Sequence, residues 1–125
     1  MKYLLDVNAL IASIWIDHVN HPRADAWIKG KDLATCPLSE LGFLRVSTQP
    51  KAIGATMPDA RRLLDDFLRK HAVEFIADDL PALKSNPAKS NEVTDHYLAE
   101  LAARKDLKLA TLDRAISHAA VEVIT

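Results

Sequence analysis

The sequence is poor in cysteine, glycine and net charge, and each shortage argues against a class of protein. The chain of 125 residues contains a single cysteine, Cys36, so an intramolecular disulfide is impossible and a reducing compartment is indicated. Three glycines and six prolines beside 49% hydrophobic residues indicate a globular chain and not a disordered one. The formal net charge of −1 argues against binding of nucleic acid through a strong overall positive field, but it leaves room for local basic patches.

The sequence also has no long apolar run. Residues 9–16, ALIASIWI, are too few for a signal peptide with its cleavage site. No stretch approaches the ~20 apolar residues that a membrane span needs. We therefore expect a soluble cytoplasmic protein without a membrane partner, folded as one domain over residues 1–125.

Strand-like and helix-like segments alternate along the chain. Strands are predicted at 2–5, 32–36, 73–77, 107–111 and 121–125. Helices are predicted at 9–16, from near Pro22 to Gly30, from Pro37 onward, at 58–71, at 92–105 and, as a short one, at 113–120. This alternation predicts a mainly parallel sheet of about five strands with helices on both faces, a three-layer α/β/α sandwich. In such sheets, functional groups gather outside the carboxyl ends of the strands.

Four of the 17 acidic residues have apolar neighbours and lie just after predicted strands or in the first turns of predicted helices. They are Asp6, Glu40, Asp95 and Asp113. Any one of them alone is explained by capping of a helix N-terminus or by the helix dipole. If the sheet is parallel, however, all four face one edge of the domain.

Four carboxylates at one edge are unfavourable without a partner. Two unit charges ~5 Å apart repel by ~3 kcal/mol at an effective dielectric constant of about 20, and a domain is stable by only ~5–15 kcal/mol. Either the acids are spread apart or a cation holds them together, and an all-oxygen cluster suits Mg²⁺ or Mn²⁺. A zinc site has little support, because the chain offers one cysteine and a lone pair of histidines at His18 and His21.

Three segments resemble a known family. LLDVNALIA (4–12), SELGFLRVST (39–48) and VTDHYLAELAARKDLKLATLDRAI (93–116) are similar to the PIN domain and, more narrowly, to the VapC toxins of bacterial toxin–antitoxin pairs. The resemblance implies an α/β/α sandwich and an endoribonuclease that depends on Mg²⁺ or Mn²⁺. It also implies a homodimer and a cognate VapB-type antitoxin that neutralises the toxin.

The resemblance implies roles for individual acids. The family's four catalytic acids match Asp6, Glu40, Asp95 and Asp113. Asp6, Asp95 and Asp113 are expected to bind the metal, and Glu40 to help orient the nucleophile. Many PIN domains carry a further acid two residues after the fourth, whereas this chain has Ala115 there.

Other residues receive weaker predictions. Asn8 and Thr111 match positions where the family places small polar groups near the metal. Asn8 would orient Asp6, cap a helix beginning at Ala9, or do both. Arg45 is a candidate for RNA phosphate or for a plain surface arginine.

Basic residues and competing protein classes leave alternatives open. Lys84 and Lys89 lie in a predicted loop that either tracks an RNA backbone or is merely solvated.

A phospho-acceptor receiver would need adjacent acids after the first strand, and an aspartate-nucleophile phosphatase would need a second aspartate at position 8. A catalytically inactive PIN-fold module that binds RNA or protein remains the alternative. The five histidines give no support for metal-free acid–base catalysis, because none is predicted in a paired setting at strand ends.

Overall fold

The computed structural model describes residues 1–125, in which strands and helices alternate as the sequence predicts. The strands are β1 (Lys2–Leu5), β2 (Asp32–Thr35), β3 (Glu74–Phe75), β4 (Lys108–Thr111) and β5 (Val121–Val123). The α-helices are α1 (Val7–Ile14), α2 (His21–Ile28), α3 (Pro37–Thr48), α4 (Met57–Lys70) and α5 (Val93–Arg104). Two short 3₁₀ turns, Ala82–Lys84 and Ser90–Glu92, lie between β3 and α5. None of the helices is long and apolar enough to cross a membrane.

The five strands form one parallel sheet in the order β3-β2-β1-β4-β5. The first strand therefore lies in the centre, with β2 on one side and β4 on the other. The chain moves outward from β1 to β3 and then crosses to the opposite side of β1, so the strand order reverses between β1 and β4. At such a switch point the connections after neighbouring strands diverge, and they leave a crevice outside the carboxyl ends.

The sheet has a hydrophobic core on each face, because neighbouring residues of a strand point to opposite sides. Leu5 of β1 packs into the core beneath the first four helices, whereas the preceding Leu4 packs against α5. The buried helical residues of the first core include Leu10, Ile28, Phe43 and Phe67, one from each helix. The helices thus form two layers around the sheet, and the predicted three-layer sandwich is confirmed.

Helices α1 and α3 approach each other closely at Gly42. A Cβ atom at this position would overlap Cγ2 of Val7 and lie 3.3 Å from its Cγ1. Val7 follows Asp6, and Gly42 lies two residues after Glu40. The contact therefore fixes the spacing of α1 and α3, whose N-terminal ends carry the predicted acids Asp6 and Glu40.

The short helix predicted at 113–120 is wrong, because this segment consists of turns. The Asp113 carboxylate accepts a hydrogen bond from the backbone N–H of Ala115, and the His118 ring accepts one from the N–H of Ala120. Such local bonds between side chain and backbone compete with the helical hydrogen-bond ladder. The segment is thus held as two turns that lead directly into β5.

Candidate active site

Asp6 lies at the start of α1, immediately after the central strand. Its backbone is extended, and its Oδ1 accepts a hydrogen bond of 2.7 Å from the backbone N–H of Ala9. Asp6 is therefore the N-cap, and the prediction that Asn8 caps a helix beginning at Ala9 is wrong. Asn8 is an exposed residue in the first turn of α1, and it is not a partner of either Asp6 oxygen.

The second carboxylate oxygen of Asp6 has no hydrogen-bond partner. This atom, Oδ2, is buried, and the residue is only 1% exposed. Burial is the largest cause that raises the pKa of Asp6 to about 7; the Thr111 hydroxyl and the Ala9 N–H lower this pKa, and the charges of Asp95 and Asp113 raise it further. Asparagine, serine or threonine would cap the helix without a buried charge. Capping alone therefore does not explain a carboxylate here.

Asp95 and Asp113 interact electrostatically with Asp6 from two other parts of the chain. Asp95 lies in the first turn of α5, and its pKa is raised by burial and then by the charge of Asp113. Asp113 follows β4, and its backbone N–H donates a hydrogen bond of 3.0 Å to the hydroxyl of Thr111. Thr111 is the last residue of β4 and is fully buried, so it holds the backbone of Asp113 at the end of this strand. The three aspartates thus gather at the switch point of the sheet.

Asp95 and Asp113 line a crevice of about 240 Å³. Lys89, Asn91, Glu92 and His96 line the same crevice. The first three precede α5, and His96 follows Asp95 on the helix. The crevice therefore combines two of the predicted acids with charged and polar groups from the segment that leads into α5.

Glu40 does not line the crevice that contains Asp95 and Asp113. It is in the first turn of α3 and lines a separate groove, with Arg61, Leu64 and Phe75, between α3 and α4. Burial raises the pKa of Glu40, and none of the aspartates contributes to that shift. The structure thus brings together three of the four predicted acids and places the fourth on the neighbouring helix start.

The donor set suits a hard divalent cation, although no metal centre is preformed. No three acidic, histidine or cysteine side chains of residues 1–125 converge closely enough to hold an ion as they stand. The fit rests on the unpartnered Oδ2 of Asp6 beside two further carboxylates, because Mg²⁺ and Mn²⁺ prefer oxygen ligands. The rings of His18 and His21 instead make hydrogen bonds to the backbone and form no zinc site.

Comparison with known proteins identifies the fold and the family. A family model described as the PIN domain matches residues 3–122 of the chain. The chain belongs to the PIN-domain family. The family resemblance of the three sequence segments is thereby confirmed.

Curated relatives of this PIN domain are named as VapC ribonucleases. Ribonuclease VapC38 of Mycobacterium tuberculosis is 38% identical over 121 residues, which cover 90% of this chain and 86% of that protein. Ribonuclease VapC44 of the same organism is 36% identical over 131 residues, which cover 97% of this chain and 92% of that protein. The chain is thus similar to VapC ribonucleases over nearly its full length.

A solved structure supports the same fold. The crystal structure of VapBC2 from Rickettsia felis, bound to a DNA fragment from their promoter, matches with a TM-score of 0.66 and covers 98% of both chains. The sequence identity is 17%, so this likeness speaks for the PIN architecture alone.

The structure reveals a pair of histidines that the sequence did not indicate. The rings of His96 and His118 meet edge to face with centroids 5.5 Å apart, although neither residue follows the end of a strand. Nδ1 of His96 lies 2.8 Å from Oγ of Ser85, and Nε2 of His118 lies 2.9 Å from Oε2 of Glu100. Sequence patterns did not reveal this pair, because turns at 113–120 bring it together where a helix was predicted.

Of the three basic residues considered as RNA contacts, one lines the crevice and two do not. Lys89 lines the crevice, whereas Lys84 and Arg45 do not. Arg45 is exposed in the last turn of α3, and at about 100° per residue it lies roughly 140° around the helix from Glu40. A role of Arg45 in RNA binding thus stays a prediction.

Proposed function

We propose that this PIN domain is an endoribonuclease that depends on Mg²⁺ or Mn²⁺ and hydrolyses RNA phosphodiester bonds. We further propose that it is the toxin of a cytoplasmic toxin–antitoxin pair, that it acts as a homodimer, and that a small VapB-type antitoxin neutralises it. The observation that carries the proposal is the buried, unpartnered Oδ2 of Asp6 beside Asp95 and Asp113 at the switch point. The similarity to proteins named VapC ribonucleases, and to a chain of a VapBC structure, supports the choice of substrate and partner.

The positions of the site residues suggest a separate role for each in binding a divalent ion. Asp6, Asp95 and Asp113 would hold the ion, and the Thr111 hydroxyl helps to fix Asp113 by accepting a hydrogen bond from its backbone N–H. When bound, a divalent ion polarises the phosphate and lowers the pKa of water. The end of β1 and the cap of α1 fix the Asp6 carboxylate, so this ligand of the site is held in place before an ion or a substrate binds.

Glu40 is proposed to act from the neighbouring helix. Burial raises the pKa of its carboxyl, so the Glu40 carboxylate accepts a proton more readily than an exposed glutamate does. Its place at the start of α3, held against α1 through Gly42 and Val7, keeps it near the capped start of α1. We therefore assign Glu40 to orientation of the attacking water and not to the binding of the metal.

Cleavage of a structured RNA with and without divalent ions tests the proposal. We expect EDTA to abolish cleavage and added Mg²⁺ or Mn²⁺ to restore it. Asp6→Asn, Asp95→Asn and Asp113→Asn should each remove activity, whereas Asp66→Asn, which changes an exposed acid on α4, should not. Cleavage that survives EDTA would overturn the role of the metal. RNA binding without cleavage under all of these conditions would favour the inactive binding module.

A further inference from the structure

The ring of His96 is held on one side so that only one of its nitrogens is free. Nδ1 lies 2.8 Å from Oγ of Ser85, in the loop before α5. The ring edge packs against His118, which is itself fixed by the N–H of Ala120 and by Glu100. The remaining nitrogen, Nε2, has no protein partner, although His96 lines the crevice that contains Asp95 and Asp113.

Lys89 is the only lysine or arginine that lines this crevice, beside the acids Glu92, Asp95 and Asp113. It lines the crevice wall in the loop before α5, and no carboxylate forms an ion pair with it. Asn91 adds an amide to the lining, and Ile116 adds an apolar wall. A cation, an amide and an imidazole beside an apolar surface are the groups that contact the phosphate and the base edge of a nucleotide.

We propose that this crevice binds one nucleotide of the RNA strand next to the cleaved phosphate, with Lys89 on the backbone and Nε2 of His96 on the base. This inference rests on the proposed ribonuclease function and adds to it a subsite that sets sequence preference. The contacts with Ser85 and His118 orient the imidazole of His96 before RNA binds, which lowers the entropic cost of its contact with the base. The carboxylates of the crevice repel the phosphates of an RNA strand, and the positive charge of Lys89 offsets this repulsion.

Two substitutions at position 96 separate a contact with RNA from a structural role. The amide of asparagine superposes on Nδ1 of the ring and can keep the bond to Ser85, whereas the amide of glutamine reaches the position of Nε2 and can keep the contact in the crevice. If His96 acts through Nε2, His96→Gln should stay close to wild type and His96→Asn should not. If the only role of His96 is the hydrogen bond between its Nδ1 and Ser85, His96→Asn should stay close to wild type and His96→Gln should not.

The measurement is cleavage of a short single-stranded RNA of random sequence in Mn²⁺, with KM and kcat determined and the product ends sequenced. For His96→Asn we expect KM to rise about three- to tenfold, the range for loss of one hydrogen bond, with kcat changed less than about twofold. The base preference at one position beside the cut should relax in His96→Asn and persist in His96→Gln. Circular dichroism of each variant confirms that the fold is intact.

A matched pair of lysines tests the backbone contact. Lys89→Gln should lower the slope of log(kcat/KM) against log salt by about 0.7, as expected when one phosphate contact on a single strand is lost. Lys84→Gln changes a lysine of the same loop that lies outside the crevice, and it should leave the slope unchanged.

The failures of the two proposals are distinct. If the wild type cleaves the RNA but His96→Asn keeps its KM and base preference, the subsite is refuted and the nuclease stands. If the variants change only inhibition by a co-expressed antitoxin, the crevice belongs to a protein partner and the RNA subsite is refuted. If the wild type cleaves neither this RNA nor a structured RNA in Mn²⁺, the proposed function fails and the subsite fails with it. If it cleaves only the structured RNA, the single-strand subsite is refuted and the nuclease stands.

Discussion

Replacing Asp6 with asparagine keeps the cap of α1 and removes its buried charge. The asparagine Oδ1 can accept the hydrogen bond from the N–H of Ala9, because asparagine caps helices as well as aspartate does. The unpartnered Oδ2, by contrast, is replaced by a neutral NH₂ group. The variant therefore isolates the free energy of the carboxylate charge from that of the cap.

The size of the effect follows from the pKa of Asp6. A carboxyl whose pKa rises from 3.8 to about 7 on folding lowers the stability of the ionised protein by roughly 4 kcal/mol, at about 1.4 kcal/mol per pKa unit. The new amide donors offset part of the gain, since an unsatisfied buried donor costs about 1–3 kcal/mol. In the absence of metal, we expect Asp6→Asn to raise the free energy of unfolding by about 1–3 kcal/mol at pH 8.

The effect has a characteristic dependence on pH. Because the folded-state pKa is the higher one, the folded protein holds this proton more tightly than the unfolded chain between about pH 4 and 7. Wild-type stability should thus fall as the pH rises through this window and level off above it. The raised pKa values of Asp95 and Glu40 act in the same direction, so the variant should retain a shallower slope. Near pH 4 the charge no longer destabilises the wild type, so the variant should be no more stable than the wild type and can be less stable through its amide donors.

Urea unfolding in EDTA at several pH values measures these differences. The fluorescence of Trp15 and Trp27 reports on unfolding, because both pack against the core beneath the first helices. Asp66→Asn, an exposed control, should stay within about 0.5 kcal/mol of wild type. An Asp6→Asn variant that is less stable than wild type at pH 8 would show that the ionised carboxylate is well satisfied, and it would refute the reasoning.

Four further outcomes are expected. Mg²⁺ or Mn²⁺ should raise the Tm of the wild type but not of Asp6→Asn, because an ion stabilises only a fold that binds it; equal shifts would contradict the predicted site. Gly42→Ala should lower the free energy of unfolding by about 1–3 kcal/mol through overlap with Val7, and Val7→Ala in the same chain should recover part of the loss, whereas simple additivity would speak against that contact. RNA products should carry a 5′-phosphate and a 3′-hydroxyl, readable by phosphatase and kinase treatment, and a 2′,3′-cyclic phosphate would exclude hydrolysis by water. Expression of the chain alone should arrest bacterial growth, and a cognate antitoxin should relieve it; normal growth at high soluble expression would count against the toxin role.

The parts of the fold that depend on local patterns were predictable from the sequence. The strand ahead of Asp6 and the helix that opens at Pro37 are marked by apolar runs and by proline at a helix start, and both were predicted. The parallel sheet followed from the alternation of elements. Its strand order did not, because nothing local indicates that the first strand lies in the centre.

The candidate site was predictable in its members but not in its geometry. Asp6, Asp95 and Asp113 could be named from their positions after strands and at helix starts, since parallel strands end at one edge. Glu40 lines a different groove from Asp95 and Asp113, and the direction of its side chain on α3 is not specified by residue spacing. His96 and His118 were missed because hydrogen bonds to Ser85 and Glu100, far apart in sequence, fix their rings.

The central position of the first strand affects the order in which the protein can be completed during synthesis. Residues Lys2–Leu5 leave the ribosome long before their partner β4, which begins at Lys108. Asp6 and Asp113 therefore meet only after β4 has been made, and contacts between such distant segments form late in folding. A chain synthesised only as far as α4 has Asp6 but lacks Asp95 and Asp113, so the three-aspartate site cannot assemble before Asp113 has been made. A nuclease built in this order would leave the messenger RNA that encodes it untouched until translation has passed Asp113.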